Sequence, residues 1–373
     1  MSGFQGGASI GASCPAPLGA PTALNPSDRG LLVEELTSAA ELRALGPAWN
    51  EVEGAGQSVN PFLSWDWQLA WWEAFGADLD LHCLVVRDQD VVLGIVPLQS
   101  AGPGSQTVVF GGGVGLSDHL GFVFRPGRAN EVAAAALRHL LDTVGKTAPV
   151  TFELHYLRDG SAELEALQRT ADALDLVQEL AQEEVSPRVI LEGDFDAYLT
   201  HCLNKKDRHE LRRKLRRLDS EQPGWSLVSQ VDLGLEPALD AFFVLLRASG
   251  AHKVEFLNPK VEEFIRAACR RFEERQWLRL QFIRASGRLI AATCGFTVGG
   301  SWYLYNSGYD PEQAALSPGL ICVAEGIRIA IEEGCQVADF LRGSEAYKYH
   351  LGAKDEPLWR LRLSASGGRE RSS

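Results

Sequence analysis

The chain has 373 residues, 45% of them hydrophobic and 23% charged, with a formal net charge of −13 at pH 7. That size and apolar content suit two soluble domains or one large one, and the negative balance argues against general affinity for nucleic acid or anionic lipid while leaving room for a local basic site. No apolar run approaches the roughly 20 residues needed to cross a bilayer, and seven scattered cysteines, never spaced Cys-x-x-Cys, argue against a zinc site or disulfide framework.

Residues 1–28 are rich in Gly, Ala, Ser and Pro and are expected to be a disordered tail. The first basic residue is Arg29, so the charged start of a secretory signal is missing, and Gly11-Ala12-Ser13-Cys14 has no apolar region before it that would make it a lipoprotein site. A cytoplasmic protein is expected. An N-terminal domain is assigned to 29–185, a C-terminal one to 186–365, and a second disordered tail to 366–373.

A helix is predicted from Ser64 to Phe75, with Trp65, Trp67, Trp71 and Trp72 near helical spacing and read chiefly as core. Leu81–Val86 and Val91–Leu98 flank a polar turn and predict a hairpin. The run Gly111–Gly113, Val114, Gly115 lacks the Lys and Ser/Thr of a nucleotide-binding loop and reads as a flexible loop on the substrate side, leading to Ser117-Asp118-His119. Helices follow over Ala129–Val144 and Leu164–Leu176, and a strand over Ser186–Leu191. From Asn204 to Leu218 eight Lys and Arg crowd a segment whose Leu211, Leu215 and Leu218 share one helical face. That segment is a docked helix showing its charges to solvent or to the acidic remainder of the chain, a binding surface for an anionic carrier or substrate, or a nucleic-acid contact, although no aromatic residues interleave its charges. Helix Asn258–Gln276 and a hairpin of Leu280–Ile283 with Leu289–Phe296 then repeat the earlier order of elements. A duplicated α/β domain is expected.

The last third carries the chemistry. Tyr303-Leu304-Tyr305-Asn306 reads as a strand. Ser317 (as N-cap), Pro318 and Gly319 open an apolar-faced helix through Glu333, and a strand over Val337–Leu341 leads to Gly343-Ser344-Glu345-Ala346-Tyr347-Lys348-Tyr349-His350. Glu325, Arg328 and Glu332 are expected on its outer face. A glycine in the first turn lets phosphates approach free backbone amides at the positive end of the helix dipole. Acyl transfer to an amine needs a base for the ammonium proton and an acid for the leaving thiolate. Asp339, Glu345 or a His can serve as base and Tyr347 as acid. Lys348 can neutralise a phosphate or pair with Glu345. No cysteine or serine sits with a partnered His and Asp, so attack is expected to be direct. The eight histidines show no ligand spacing, and no metal is expected.

These segments resemble the CelD-like acetyltransferases, a branch of the GNAT acyltransferase superfamily. The likeness rests on Pro61-Phe62-Leu63-Ser64-Trp65-Asp66-Trp67, on Ser117-Asp118-His119, on the Lys205–Arg213 segment, and on Ser317-Pro318-Gly319 through Asp339–Gly343 to Tyr347-Lys348-Tyr349. It implies an α/β (α+β) fold of two tandem GNAT-like domains with mixed central sheets, like the FemAB-type transferases. It implies an acetyl-CoA or other acyl-CoA donor held at Ser317, Pro318, Gly319, Leu320 and Asn306, and catalysis by Asp339, Glu345 and Tyr347. Asp118, His119, Lys348 and Trp65 would meet a saccharide or amino-compound acceptor, with an association to exopolysaccharide or envelope metabolism. The usual GNAT donor-loop pattern is absent, with only Gly319 answering to it. FemAB-type relatives take aminoacyl-tRNA, which keeps that donor as an alternative beside a non-catalytic scaffold that retains the fold.

Overall fold

The computed structural model describes residues 30–56, 59–102, 104–146 and 148–365. Both expected tails lie outside the described residues. The N-terminal half comprises β1 (Leu32–Leu36), α1 (Ala39–Ala44), α2 (Gly46–Ala55), α3 (Trp65–Phe75), β2 (Leu81–Asp88), β3 (Val91–Ser100), β4 (Thr107–Phe110), β5 (Val123–Phe124), α4 (Ala129–Thr143), β6 (Thr151–Arg158), α5 (Ala162–Ala173) and the long β7 (Leu176–Ile190). The C-terminal half begins with α6 (Phe195–His201), α7 (Lys205–Glu221), β8 (Ser226–Ser229), α8 (Gln230–Leu233), α9 (Leu235–Ala248), α10 (Ala251–Phe256) and α11 (Pro259–Glu274). It continues through β9 (Leu278–Ala285), β10 (Arg288–Val298), β11 (Ser301–Tyr309), α12 (Pro318–Glu332), β12 (Val337–Asp339), α13 (Ala346–His350) and β13 (Lys354–Ala365).

Local chemistry explains where many of these elements start. Ser64, Asn204 and Asn258 sit in extended conformation and accept from the amides of Trp67, Asp207 and Val261, capping α3, α7 and α11. Pro259 supplies a preset φ at the first position of α11. Two expectations differ. The helix expected over 164–176 ends at Ala173, and β7 begins at Leu176, well before the expected Ser186. Glu325, expected on the outer face of α12, is buried and bonded to Arg328.

The expected mixed sheet flanked by helices is present, as one continuous sheet through both halves. Its strand order is β1-β2-β3-β4-β6-β13-β7-β12-β11-β10-β9-β8, with β5 added beside β3. The two halves mirror each other in that order. In each, one pair is parallel, β4 with β6 and β11 with β12, and the other pairings are antiparallel. The last strand of each half lies against the other half: β13 pairs with β6, β7 with β12, and β7 with β13 from Leu176↔Ala365 to Arg188↔Lys354. β7 therefore runs through residue 186, where the two domains were expected to meet.

The core follows the same logic. On one face a single apolar cluster spans both halves under α1–α3, α9 and α11. The Trp67 ring lies 4.9 Å from Phe264 and 6.1 Å from Phe296, so the Trp-rich helix is core, as expected for Trp67, Trp71 and Trp72. On the other face α4 and α5 cover the N-terminal half, and α12 covers β10 and β11 in the C-terminal half. Gly111, Gly112 and Gly113 are buried against α3. A Cβ at Gly113 would come within 2.1 Å of the Trp71 indole nitrogen, so these glycines serve close packing and not an open substrate-side loop.

Candidate functional site

The start of α12 forms one wall of a cavity of about 970 Å³, lined by Ser317, Pro318, Gly319, Leu320, Tyr309, Tyr347 and the first turns of α7. Ser317 does not cap α12 with its side chain. It adopts a left-handed φ of 54°, and its hydroxyl accepts from Lys214 Nζ at 2.6 Å. The first-turn amides of α12 have no partner within the helix, and Gly319 and Leu320 line the cavity, while Pro318 has no amide to leave unpaired. A Cβ on Gly319 would sit 3.2 Å from the Tyr309 ring, so the glycine keeps this corner open.

The basic helix supplies the opposite wall. Leu211 and Leu218 are buried and Leu215 partly so, which docks α7 and turns Lys205, Lys206, His209 and Lys214 to the cavity. The acids among them are already answered. Glu210 is clasped by Arg213, which drops its carboxyl to about 2, and Asp207 meets His350 Nδ1 at 2.9 Å. Lys205 and Lys206 have no carboxylate partner among the described residues. The cavity thus presents a helix N-terminus and three ammonium groups, a setting for a polyanionic ligand.

Beyond the cavity, β11 and β12 part. Their parallel pairing ends at Tyr303↔Asp339, and a bulge follows in β11: Cys294 faces Asn306 and Gly295 faces Leu304, leaving Tyr305 as the extra residue. Tyr303 is buried and Tyr305 partly buried, their hydroxyls donating to the carbonyls of Val59 and Leu116, so they are packing residues. Asn306 Oδ1 accepts from Lys253 Nζ of α10. Burial, with Lys348 adding to it, lowers the Lys253 pKa against the pull of Glu345. Nothing in the sequence around Lys253 marked it.

Lys348 is 2% exposed and donates to three successive carbonyls, Leu341 at 3.0 Å, Arg342 at 2.7 Å and Gly343 at 2.9 Å, while Glu345 pairs with it at 2.9 Å. An ammonium has three donors, and here all three hold the chain that leaves β12. Glu345 is exposed. Tyr347 is half-buried, lines the cavity, and has its pKa pushed up by burial, which keeps its phenol protonated.

The remaining expected site residues gather elsewhere, at the junction of the halves. His119 Nε2 lies 3.2 Å from Asp339 Oδ2, and Ser186 Oγ donates to Asp339 Oδ1 at 2.8 Å. Burial alone would raise the Asp339 carboxyl, but His119, Arg158 and the Leu341 amide outweigh it and bring it to about 2. Asp118 pairs with Arg342, whose guanidinium stacks 4.0 Å from the Tyr156 ring centre. Trp65 donates its indole N–H to the Leu42 carbonyl and lies under Arg271, away from both sets. The structure therefore brings Ser317–Leu320 and Tyr347 together in one cavity. It groups Asp118, His119 and Asp339 at the junction, and keeps Trp65 apart. Among the described residues no cluster of three or more His, Cys, Asp or Glu could hold a metal, and no helix is long and apolar enough to cross a membrane.

A sequence family described as an acetyltransferase (GNAT) domain matches residues 205–349, from the start of α7 to α13. No curated protein matches the chain. Among solved structures, a conserved protein of unknown function from Bacteroides thetaiotaomicron VPI-5482 superimposes with a TM-score of 0.57 at 11% identity, over 90% of this chain and 100% of that one. FemX does so with a TM-score of 0.56 at 13% identity, over 88% and 96%. L-PGS from Bacillus licheniformis gives 0.52 at 11% identity, over 90% and 94%. At these identities the structural likeness establishes the fold.

Proposed function

We propose that the protein is an acyltransferase whose donor, an acyl-CoA thioester, occupies the 970 Å³ cavity. The observation that carries this reading is the pair of unanswered ammonium groups, Lys205 and Lys206, facing Lys214 and the open start of α12. Phosphates of the donor would rest on these lysines and the Gly319 and Leu320 amides, and the acyl end would reach toward the bulge at Tyr305 and Asn306. The match of residues 205–349 to an acetyltransferase domain supports the same assignment. In the reaction an amine or hydroxyl attacks the thioester carbonyl, the C–S bond breaks, and the thiolate takes the phenol proton of Tyr347, which solvent returns. The attacking group gives its proton to a base at the acceptor. Asp339, with a carboxyl near 2, is a poor proton acceptor and acts by orienting His119. Much of the acceleration then comes from positioning.

Calorimetric titration with acetyl-CoA, beside a Gly319→Glu variant, tests the donor. The expected result is binding in the micromolar range that the variant abolishes, because its carboxylate and bulk fall against Tyr309 and among the phosphates. Silence with both acetyl-CoA and a longer acyl-CoA would remove this reading. An aminoacyl-tRNA donor is the second reading, favoured by Arg212 and Arg216, which α7 exposes outside the cavity. Its mark would be a complex with tRNA that weakens steeply with salt and with Arg212→Glu.

A further inference from the structure

The N-terminal half has a cavity of its own, about 540 Å³, bounded by the segment leading into α4, the end of β6, the start of α5, and α2. In the mirrored sheet order the segment leading into α4 corresponds to the segment leading into α12, which borders the donor cavity. The two cavities differ in sign. Where the donor cavity gathers lysines, this one gathers Glu53, Asp159, Glu163 and Glu356, with Arg158 and His119. Arg158 is held by Glu356 at 2.7 Å, and Asp159 accepts from the Trp359 indole at 2.7 Å. Glu163 has no ion-pair partner among the described residues. Apolar side chains of Val52, Leu63, Leu120, Phe122 and Phe124 complete the walls.

Two atoms on this cavity are buried without a partner. Glu53 is 5% exposed, and its Oε2 takes Arg275 at 2.8 Å while its Oε1 takes nothing. His119 is 1% exposed, and its Nδ1 is likewise unpaired. Glu53 Oε1 and the Glu163 carboxylate are acceptors. Buried acceptors left open in this way are costly unless something supplies donors. Burial raises the carboxyls of Glu53 and Glu163, against the pull of Arg275 on the first and of Arg158 on the second. A primary ammonium brings three N–H donors, one positive charge and no acceptor.

We propose that this cavity binds a compound bearing a primary ammonium on an apolar stem, its nitrogen meeting Glu53 and Glu163. That the bound amine is the acceptor of the acyl group rests on the transferase reading above; the binding itself does not. The chain would then take its two substrates in the two halves, an anionic donor in the basic cavity and a cationic acceptor in the acidic one.

The test is calorimetric titration of the full chain with hexylamine and, separately, with 1-hexanol, on wild type and on Glu163→Gln. The expected result is saturable binding of hexylamine, binding of the alcohol weaker by about tenfold or more, and a similar loss for hexylamine in the variant. The substitution is isosteric at a half-buried position, and a retained melting temperature shows that the variant is folded. No hexylamine binding, equal binding of the alcohol, or an unchanged affinity in folded Glu163→Gln would each overturn the proposal. Acetyl-CoA titration reads the other cavity, so loss of the donor assignment with hexylamine still bound would remove the transferase reading and leave this site standing.

Discussion

At the scale of single residues, the buried Asp339–His119 pair shows how position changes a group's work. Asp339 at the end of a strand reads as a candidate base. In the fold it is 1% exposed and bonded to His119, Ser186 and the Leu341 amide. Its folded pKa of about 2 lies below the unfolded value near 3.8. The stability it contributes is thus complete above the unfolded value and lost as pH falls through about 4 toward 2. The linkage amounts to roughly 2 kcal/mol. Urea unfolding followed from neutral pH down to about 2.5 should show that acid-linked loss in wild type and a shallower limb in Asp339→Asn. Superimposable limbs would mean that the carboxylate is not held as described. The partner was invisible beforehand because His119 lies 220 residues away and in the other half. The same holds for Lys348. Its neighbour Glu345 is legible at a spacing of three, but the three carbonyls that occupy its ammonium depend on how the chain turns after β12.

At the scale of elements, α7 is where local chemistry and function meet. Its Asn204 cap and its leucine face are local patterns, and both were readable. Which of its charges remain free was not, since that depends on Glu210, Asp207 and their partners. Lys205→Glu with Lys206→Glu should lower acetyl-CoA affinity by about tenfold or more and flatten its dependence on salt, because two of the charges that attract the phosphates have been reversed. Both lysines are exposed, so the melting temperature should hold. Equal affinity in the double variant would place the phosphates elsewhere. β7 and β13 illustrate the opposite case. Residues 176–185 of β7 are mostly Gln, Glu and Ala with an exposed pattern, so neither alternation nor β-branched content announced a strand. That stretch is a strand because β13 pairs with it along its length, and β13 follows it by more than 160 residues. A pairing so distant leaves no periodic trace in either segment.

At the scale of the whole molecule, duplication was legible in the repeated order of helix, hairpin, strand and helix, but the joining of the copies was not. Each half gives its last strand to the sheet beside the other, and the cluster around Trp67, Phe264, Phe272 and Phe296 draws on both. Arg275 reinforces the seam by pairing with Glu53 and Asp66. Halves that share a sheet and a core cannot lose one without exposing the other, so unfolding should be cooperative across the chain. Scanning calorimetry should show one transition with a calorimetric to van't Hoff enthalpy ratio near one. Trp67→Ala, which empties a fully buried indole site at a cost of about 3–5 kcal/mol, should shift that transition as a whole. Two transitions, with only the N-terminal one moved by the substitution, would show that the strands are exchanged without energetic coupling. The two cavities would then sit on independently stable halves, and His119, which reaches from one half to Asp339 in the other, would be a contact between modules instead of part of a common core.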